Sequence, residues 1–142
     1  MSKSKDIGTR TETAVVKAAH AVGLHAVRPA LAGINDVGDV HINRGQIVVE
    51  CKGGKMAAAA SLQQISRWWD ETEAEAGRVV ECDAAVLVVK RGGTTDPRQW
   101  RAFTTISEYL WVTVGRDLSC PRLVEMPLGD LLDDIAQLGR AR

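Results

Sequence analysis

Residues 38–52 read GDVHINRGQIVVECK, and this stretch predicts a β-hairpin around which the chain is organised. Gly45 can take the positive φ that a tight turn requires, and the β-branched run after it is typical of a buried strand. With a two-residue loop that ends at Gly45, counting outward sets Asp39 opposite Glu50. Like charges opposed at about 5 Å are destabilising, so a divalent cation between the carboxylates is the simplest compensation.

Alternation along the second strand places Lys52 on the same face as Glu50. There it could position or deprotonate an attacking water, or neutralise charge that develops on a phosphoryl group. This geometry requires an even-numbered loop, because a three-residue loop at 43–45 would put Asp39 on the wrong face. His41 shares the predicted face of Asp39 and is interpreted as an ordinary polar strand residue.

Length and composition indicate a single domain over residues 1–142, with a core at about 8–104 and a C-terminal extension at 105–142. Apolar residues make up 45% and charged residues 25% of the chain, which is typical of a globular protein. No apolar run is long enough for a membrane span or a secretory signal, so we expect a cytoplasmic protein. The three cysteines are widely spaced and are expected to be reduced thiols.

The formal net charge is zero, which by itself disfavours a nucleic-acid binder. The distribution is uneven, however, because residues 1–55 carry eight basic against five acidic side chains. If metal ions neutralise some of these acids, the field of this region becomes positive. The basic groups expected near the predicted site are Arg10, Arg28, Lys55 and Arg67, which either hold phosphates or are solvated surface charges.

Periodicity predicts a small α/β domain with a mixed sheet, in the order helix, strand, hairpin, helix, strand. Helices are predicted at about 9–22, 58–76, 106–114 and 128–138, and further strands at 24–28, 84–89, 100–104 and 122–126.

Two regions of these helices are open to more than one interpretation. Thr9 and Glu12 have capping-box spacing, so Glu12 is either a helix cap or a fourth site carboxylate. The acidic second half of the helix at 58–76 is most simply a solvated face. In the same helix, Trp68 and Trp69 are interpreted as one core residue and one residue at a subunit interface.

The site residues together resemble a known signature. An acidic helix residue (Glu12), an Asp after Gly at the start of a hairpin (Asp39), and Glu50-x-Lys52 at the end of the next strand resemble the PD-(D/E)xK nucleases. The similarity is greatest to the archaeal-type Holliday junction resolvases and covers roughly residues 8–104. Two departures are Gly38 in place of the usual Pro before the Asp, and Ala32-Gly33 in place of Ser-Gly.

This resemblance implies a restriction-endonuclease-like fold with an αβββαβ core. It implies that Asp39, Glu50 and Glu12, with the backbone carbonyl of Cys51, bind Mg²⁺, for which Mn²⁺ may substitute. It further implies a homodimer that nicks two strands of a four-way DNA junction. A Gln on the helix after Glu-x-Lys often supports such sites, and Gln64 is preferred over Gln63.

Two alternatives remain open. The chain may be a nuclease of the same superfamily that cuts flaps, ends or ordinary duplex DNA, for instance in a phage or mobile element. It may instead be a catalytically silent DNA-binding or assembly subunit. An intact set of acids argues against the second alternative.

Overall fold

The computed structural model of the protein describes residues 3–30 and 36–139. They form an α/β fold in which a six-stranded mixed sheet is flanked by helices on both faces. The helices are α1 (Lys3–Ala21), α2 (Gly54–Ala58), α3 (Leu62–Ala76), α4 (Ile106–Val114) and α5 (Leu128–Leu138). The strands are β1 (Ala26–Val27), β2 (Val40–Ile42), β3 (Ile47–Lys52), β4 (Ala84–Val89), β5 (Arg101–Thr105) and β6 (Leu123–Pro127).

The strands lie in the sheet in their order along the chain, and only β3 and β4 run parallel. Their side chains alternate between two hydrophobic cores, which is why both strands read as continuous apolar runs. The first core packs α1, α4 and α5 against one face, with Val49 among its residues. The second, the α3 core, packs α2 and α3 against the other face, with Val48 among its residues. Side chains of β3 therefore reach both helical layers.

The hairpin between β2 and β3 forms with the predicted two-residue loop. Positive φ angles of 60° at Arg44 and 93° at Gly45 place both central residues in the left-handed region. Gln46 N donates to Asn43 O at 3.3 Å, and Val40 pairs with Val49. The even-numbered register on which the site geometry depends is confirmed.

The first helix begins at Lys3 rather than at residue 9, so the predicted capping box is wrong. Thr9 and Glu12 lie in the helix interior, where neither can act as an N-cap. A Cβ on Gly53 would lie 3.4 Å from Ile7 Cγ2, which shows that the first turns of α1 pack against the end of β3. This tertiary contact lengthens the helix beyond its apolar periodicity.

The predicted helix at 58–76 is two helices, because the chain leaves α2 at Ala59 and α3 begins only after Ser61. Ser61 Oγ accepts a hydrogen bond from the Gln64 N–H and so forms an N-cap that the alanine run concealed. Trp68 and Trp69 are only 8% and 6% exposed and both pack in the α3 core. The expectation that one of the two tryptophans lies at a subunit interface is therefore wrong, because both are buried inside the domain.

The segment at 105–139 is an integral part of the domain rather than an extension. Strand β6 pairs with β5 along its whole length, and α5 buries Leu131, Leu132 and Ile135 in the first core. The four elements from β5 to α5 match the predicted ones to within one residue.

We expect Gly38→Ala to destabilise the fold more than Gly93→Ala does. Both glycines have φ near +85°, at 88° and 82°. A Cβ on Gly38 would lie 2.5 Å from Val48 Cγ1, whereas one on Gly93 meets nothing within 4 Å. Backbone strain should cost each variant about 1–2 kcal/mol, and the clash should add about 1–3 kcal/mol at Gly38. Urea unfolding of both variants measures the difference, and equal losses would contradict it.

Candidate functional site

The candidate site lies where β2 separates from β3. Asp39 precedes β2, and its N–H donates to Val49 O at 2.9 Å. The ladder between β2 and β3 ends at the pair Val40–Val49. The sequence had predicted that Asp39 would pair with Glu50 across the hairpin, and this backbone pairing does not form. Instead, Asp39 Oδ2 accepts the Cys51 N–H at 2.9 Å. The carboxylate thus takes the place of a strand at the end of β3.

The segment before Asp39 is fixed by three hydrogen bonds. Gly38 N donates to Asp36 Oδ1 at 2.9 Å, and Arg78 Nη1, just beyond α3, donates to Asp36 O at 2.7 Å. A ring nitrogen of His41 donates to Val37 O at 2.7 Å, so this histidine acts as a structural polar residue of the strand. The backbone leading to Asp39 is therefore preorganised.

Glu50 is the central and most buried acid of the site, with 5% of its surface exposed. The carboxyl groups of Asp39 and Glu75 both lie close enough to that of Glu50 to share a proton with it. Burial, followed by the hydrogen bonds and negative charges of these two neighbours, raises the pKa of Glu50 to about 11. In the absence of a cation, Glu50 is protonated at neutral pH.

Glu75 belongs to the site, although the sequence interpretation placed it on a solvated helix face. It is 8% exposed in the last turn of α3, and its Oε2 has no hydrogen-bond partner within the described part of the chain. Burial raises its pKa, a hydrogen bond from Glu50 opposes the shift, and Asp36 and Asp39 add to it. Its spacing of seven from Trp68 places it on the buried stripe of α3, a signal that could have identified it.

Glu12 reaches the site from α1. Its Oε2 pairs with Arg28 Nε at 2.9 Å, and burial together with Asp39 raises its pKa while Arg28 opposes the rise. Glu12 therefore lies beside Asp39, as predicted. Arg28 orients and neutralises this acid, which limits its availability as the predicted phosphate contact.

Lys52 lies on the α3 side of β3, beside Glu50. Its Nζ pairs with Glu71 at 3.2 Å and lies 5.7 Å from the centre of the Trp68 ring. Burial lowers the pKa of Lys52, but Glu50, Glu71 and Glu75 outweigh it and raise the pKa above its ordinary value. Lys52 is thus an ammonium ion that can donate hydrogen bonds and offset negative charge. It is poorly suited to remove a proton.

Two cavities lie on either side of the first turns of α1. The acidic cavity, about 310 Å³, includes Glu12, Asp36 and Asp39 in its lining. The basic cavity, about 590 Å³, is lined by residues of three segments, namely Ile7 of α1, Gly54, Lys55 and Ala58 of α2, and the stretch from Lys90 to Thr95 that follows β4. Of the predicted phosphate contacts, Lys55 lies in the basic cavity, while Arg10 and Arg67 are exposed on α1 and α3.

Gln64 is placed away from the acids. It lies in the first turn of α3, eleven residues before Glu75, which corresponds to about 16 Å along the helix axis. Within the described ranges its side chain has no hydrogen bond to the cluster. From the same helix, Glu71 and Glu75 contact Lys52 and Glu50 instead.

The charges of the site are not balanced by the protein. Arg28 pairs with Glu12, and Lys52 pairs with Glu71. Among the described residues, no other basic side chain lies within 4 Å of the remaining site carboxyls, which are those of Asp36, Asp39, Glu50 and Glu75. Such a group of hard oxygen donors suits Mg²⁺, Mn²⁺ or Ca²⁺, and a cation would stabilise its ionised form.

Comparison of the chain with protein-family models, curated proteins and solved structures gave no significant match. In residues 3–30 and 36–139, no helix is long and apolar enough to cross a membrane. The function must therefore be inferred from the geometry and chemistry of the carboxylate site.

We expect the metal-free protein to lose stability as pH rises from about 5 to 9, and Glu50→Gln to reduce this loss. Glu50 titrates at its ordinary value of 4.5 when unfolded and near 11 when folded. Between these values the folded state binds more protons, so the free energy of unfolding falls with pH by at most about 1.4 kcal/mol per unit for this proton.

Thermal unfolding in EDTA at several pH values measures this slope, with the exposed Glu81→Gln as the control. Mg²⁺ should reduce the loss in the wild-type protein, because a cation replaces the proton. Identical slopes in wild type and Glu50→Gln would show that Glu50 does not carry this proton.

Proposed function

We propose that the protein is a Mg²⁺-dependent endodeoxyribonuclease that resolves four-way DNA junctions. The observation that carries the proposal is the convergence of Glu12, Asp39 and Glu50 at the end of β3, with Lys52 on the same strand as Glu50. These acids come from α1, the residue before β2, and β3. The order of elements from α1 to β4, αβββααβ, resembles the αβββαβ order of the PD-(D/E)xK nucleases with its second helix divided into α2 and α3. The resemblance of the sequence motif to the junction resolvases supports a four-way DNA junction as the substrate.

The donor set fits a divalent cation. Asp39 and Glu50 would hold it, together with the backbone carbonyl of Cys51, and Glu12 lies beside Asp39. Nearby, the buried Oε2 of Glu75 has no hydrogen-bond partner among the described residues. When bound, Mg²⁺ or Mn²⁺ polarises a phosphoryl oxygen and lowers the pKa of a coordinated water.

Besides binding the cation, the site would need to stabilise the reacting phosphoryl group and to keep its acids oriented. The Lys52 ammonium group is placed to offset the negative charge that develops on a phosphoryl group under attack. Arg28 keeps the Glu12 carboxylate oriented, and the hydrogen bond from Cys51 N–H keeps Asp39 oriented. These contacts preorganise the acids before substrate binds.

The basic cavity supports DNA as the substrate. Lys55 and Arg91 line it together with the Gly92–Gly93 turn, on the opposite side of α1 from the acids. Cationic side chains beside glycine backbone permit close approach of a phosphate chain. Recognition of a four-way junction depends on DNA shape rather than base sequence, and two symmetric nicks would require a homodimer.

We expect the protein with Mg²⁺ to place paired symmetric nicks in a synthetic four-way junction. Asp39→Asn and Glu50→Gln should each reduce the rate by at least about a hundredfold, because they remove ligands of the cation. Lys52→Met should also reduce it, because it removes the positive charge that offsets the developing negative charge. The exposed Asp117→Asn is the control and should cleave normally.

Linear duplex and flap substrates in the same assay separate the possible nucleases. Equal cleavage of duplex and junction would overturn junction selectivity but leave the nuclease. Absence of cleavage of every DNA would overturn the nuclease and favour a catalytically silent DNA-binding subunit.

We also expect Lys55→Ala and Arg91→Ala to weaken DNA binding in a salt-dependent way. Each lost phosphate contact should reduce the slope of log K against log salt by about 0.9. Arg44→Asn, which removes a charge at the hairpin turn near the opposite end of β3, is the control. Fluorescence anisotropy in Ca²⁺ at several salt concentrations measures the slopes, and unchanged slopes would exclude the basic cavity from the DNA path.

A further inference from the structure

A second oxygen-donor group lies on the α3 side of Glu50. One carboxylate oxygen each from Asp36, Glu50 and Glu75 lies within 4.8 Å of the others. Oxygen ligands of one cation are separated by at most twice the metal–oxygen distance, which is about 4.2 Å for Mg²⁺ and about 4.8 Å for Ca²⁺. The three oxygens are therefore already close to the spacing that a cation requires.

One of the three donors carries an unsatisfied atom. Glu75 is 8% exposed, and its buried Oε2 has no hydrogen-bond partner among the described residues. Burying a carboxyl oxygen without a partner costs about 1–3 kcal/mol or more, since water is lost and nothing replaces it. A bound cation would supply the missing interaction.

The group shares Glu50 with the donors assigned to the nuclease cation but does not include Asp39. Asp39 Oδ2 is directed to the Cys51 N–H, near the end of β3 and beside Glu12. Glu75 instead approaches Glu50 from α3, and Asp36 is exposed, which gives an ion a path from solvent. Glu50 has two oxygens and can serve both groups.

We propose that Asp36, Glu50 and Glu75 bind a second divalent cation, distinct from the cation assigned to Asp39, Glu50 and the Cys51 carbonyl. The second cation joins α3 and the loop before β2 to the end of β3. The two sites share only Glu50.

Calorimetric titration with Mn²⁺ tests the proposal without reference to cleavage. We expect about two binding events in the wild-type protein and about one in Glu75→Gln, with the lost event weakened at least about tenfold. Glu73→Gln, two residues away on the same helix, is the matched control and should retain both events. Asp39→Asn should lose the other event.

Asp36→Asn provides a second variant, because its amide oxygen can still accept the Gly38 N–H while the charge is removed. It should weaken the same event as Glu75→Gln even if the latter folds poorly. Tb³⁺ luminescence excited through Trp68 gives an independent readout, which Glu75→Gln should largely abolish and Glu73→Gln should preserve.

The outcomes separate this proposal from the nuclease. One Mn²⁺ event that is lost in Asp39→Asn but unchanged in Glu75→Gln and Asp36→Asn would overturn the second site and leave the nuclease cation in place. Absence of Mn²⁺ binding to the wild-type protein would overturn both assignments.

Discussion

Burial of the Glu50 carboxyl group at the end of a core strand is the constraint on which the site depends. Strand β3 is packed between helices on both faces, so a charged side chain near its end cannot reach water freely. An ionised carboxylate in such a place is costly unless a proton or cation compensates it. Asp39 and Glu75 approach Glu50 from two sides and increase that requirement. The fold therefore creates a position that favours a cation.

The separation of β2 from β3 allows acids from both helical layers to meet there. If the β2–β3 ladder had continued, Asp39 would lie directly across from Glu50. The sheet would then separate the acids of α1 from those of α3. Instead, Asp39 leaves the ladder and uses its carboxylate to accept the Cys51 N–H. From this position beside the end of β3, Asp39 contacts Glu12 of α1 as well as Glu50. Glu75 of α3 then completes the group from the opposite face.

Local sequence signals predicted the elements of the fold well where a single interaction determines them. The positive φ of Gly45 set the hairpin loop, and the alternation of β3 set which residues face each layer. The starts of α1 and α3 were not predicted, because the first depends on packing of Ile7 against the Gly53 turn and the second on the Ser61 cap within an alanine-rich run. Both are contacts that hydrophobic periodicity does not report.

The sequence predicted Glu12 of α1 and the hairpin residues of the candidate site but not Glu75 of α3. The hairpin register links Asp39, Glu50 and Lys52 through short-range geometry, so sequence alone brings them together. Glu75 is separated from Glu50 by a turn, a short helix and three turns of α3, and its burial depends on how α3 crosses the sheet. Charge was also misleading, since an acidic helix segment is usually solvated and only the Trp68 stripe indicates that this acid faces inward.

The partition of charge around α1 constrains how a polyanion can approach the acids. The acidic cavity repels a phosphate chain as long as its carboxylates carry net negative charge, whereas the basic cavity on the other side of α1 attracts it. A cation among the carboxylates would remove this repulsion and extend the positive field towards Lys52. Cation binding and DNA binding should therefore be thermodynamically coupled, each strengthening the other by the same factor. Zero net charge is therefore compatible with the proposed function, because the local field at the site depends on the cation.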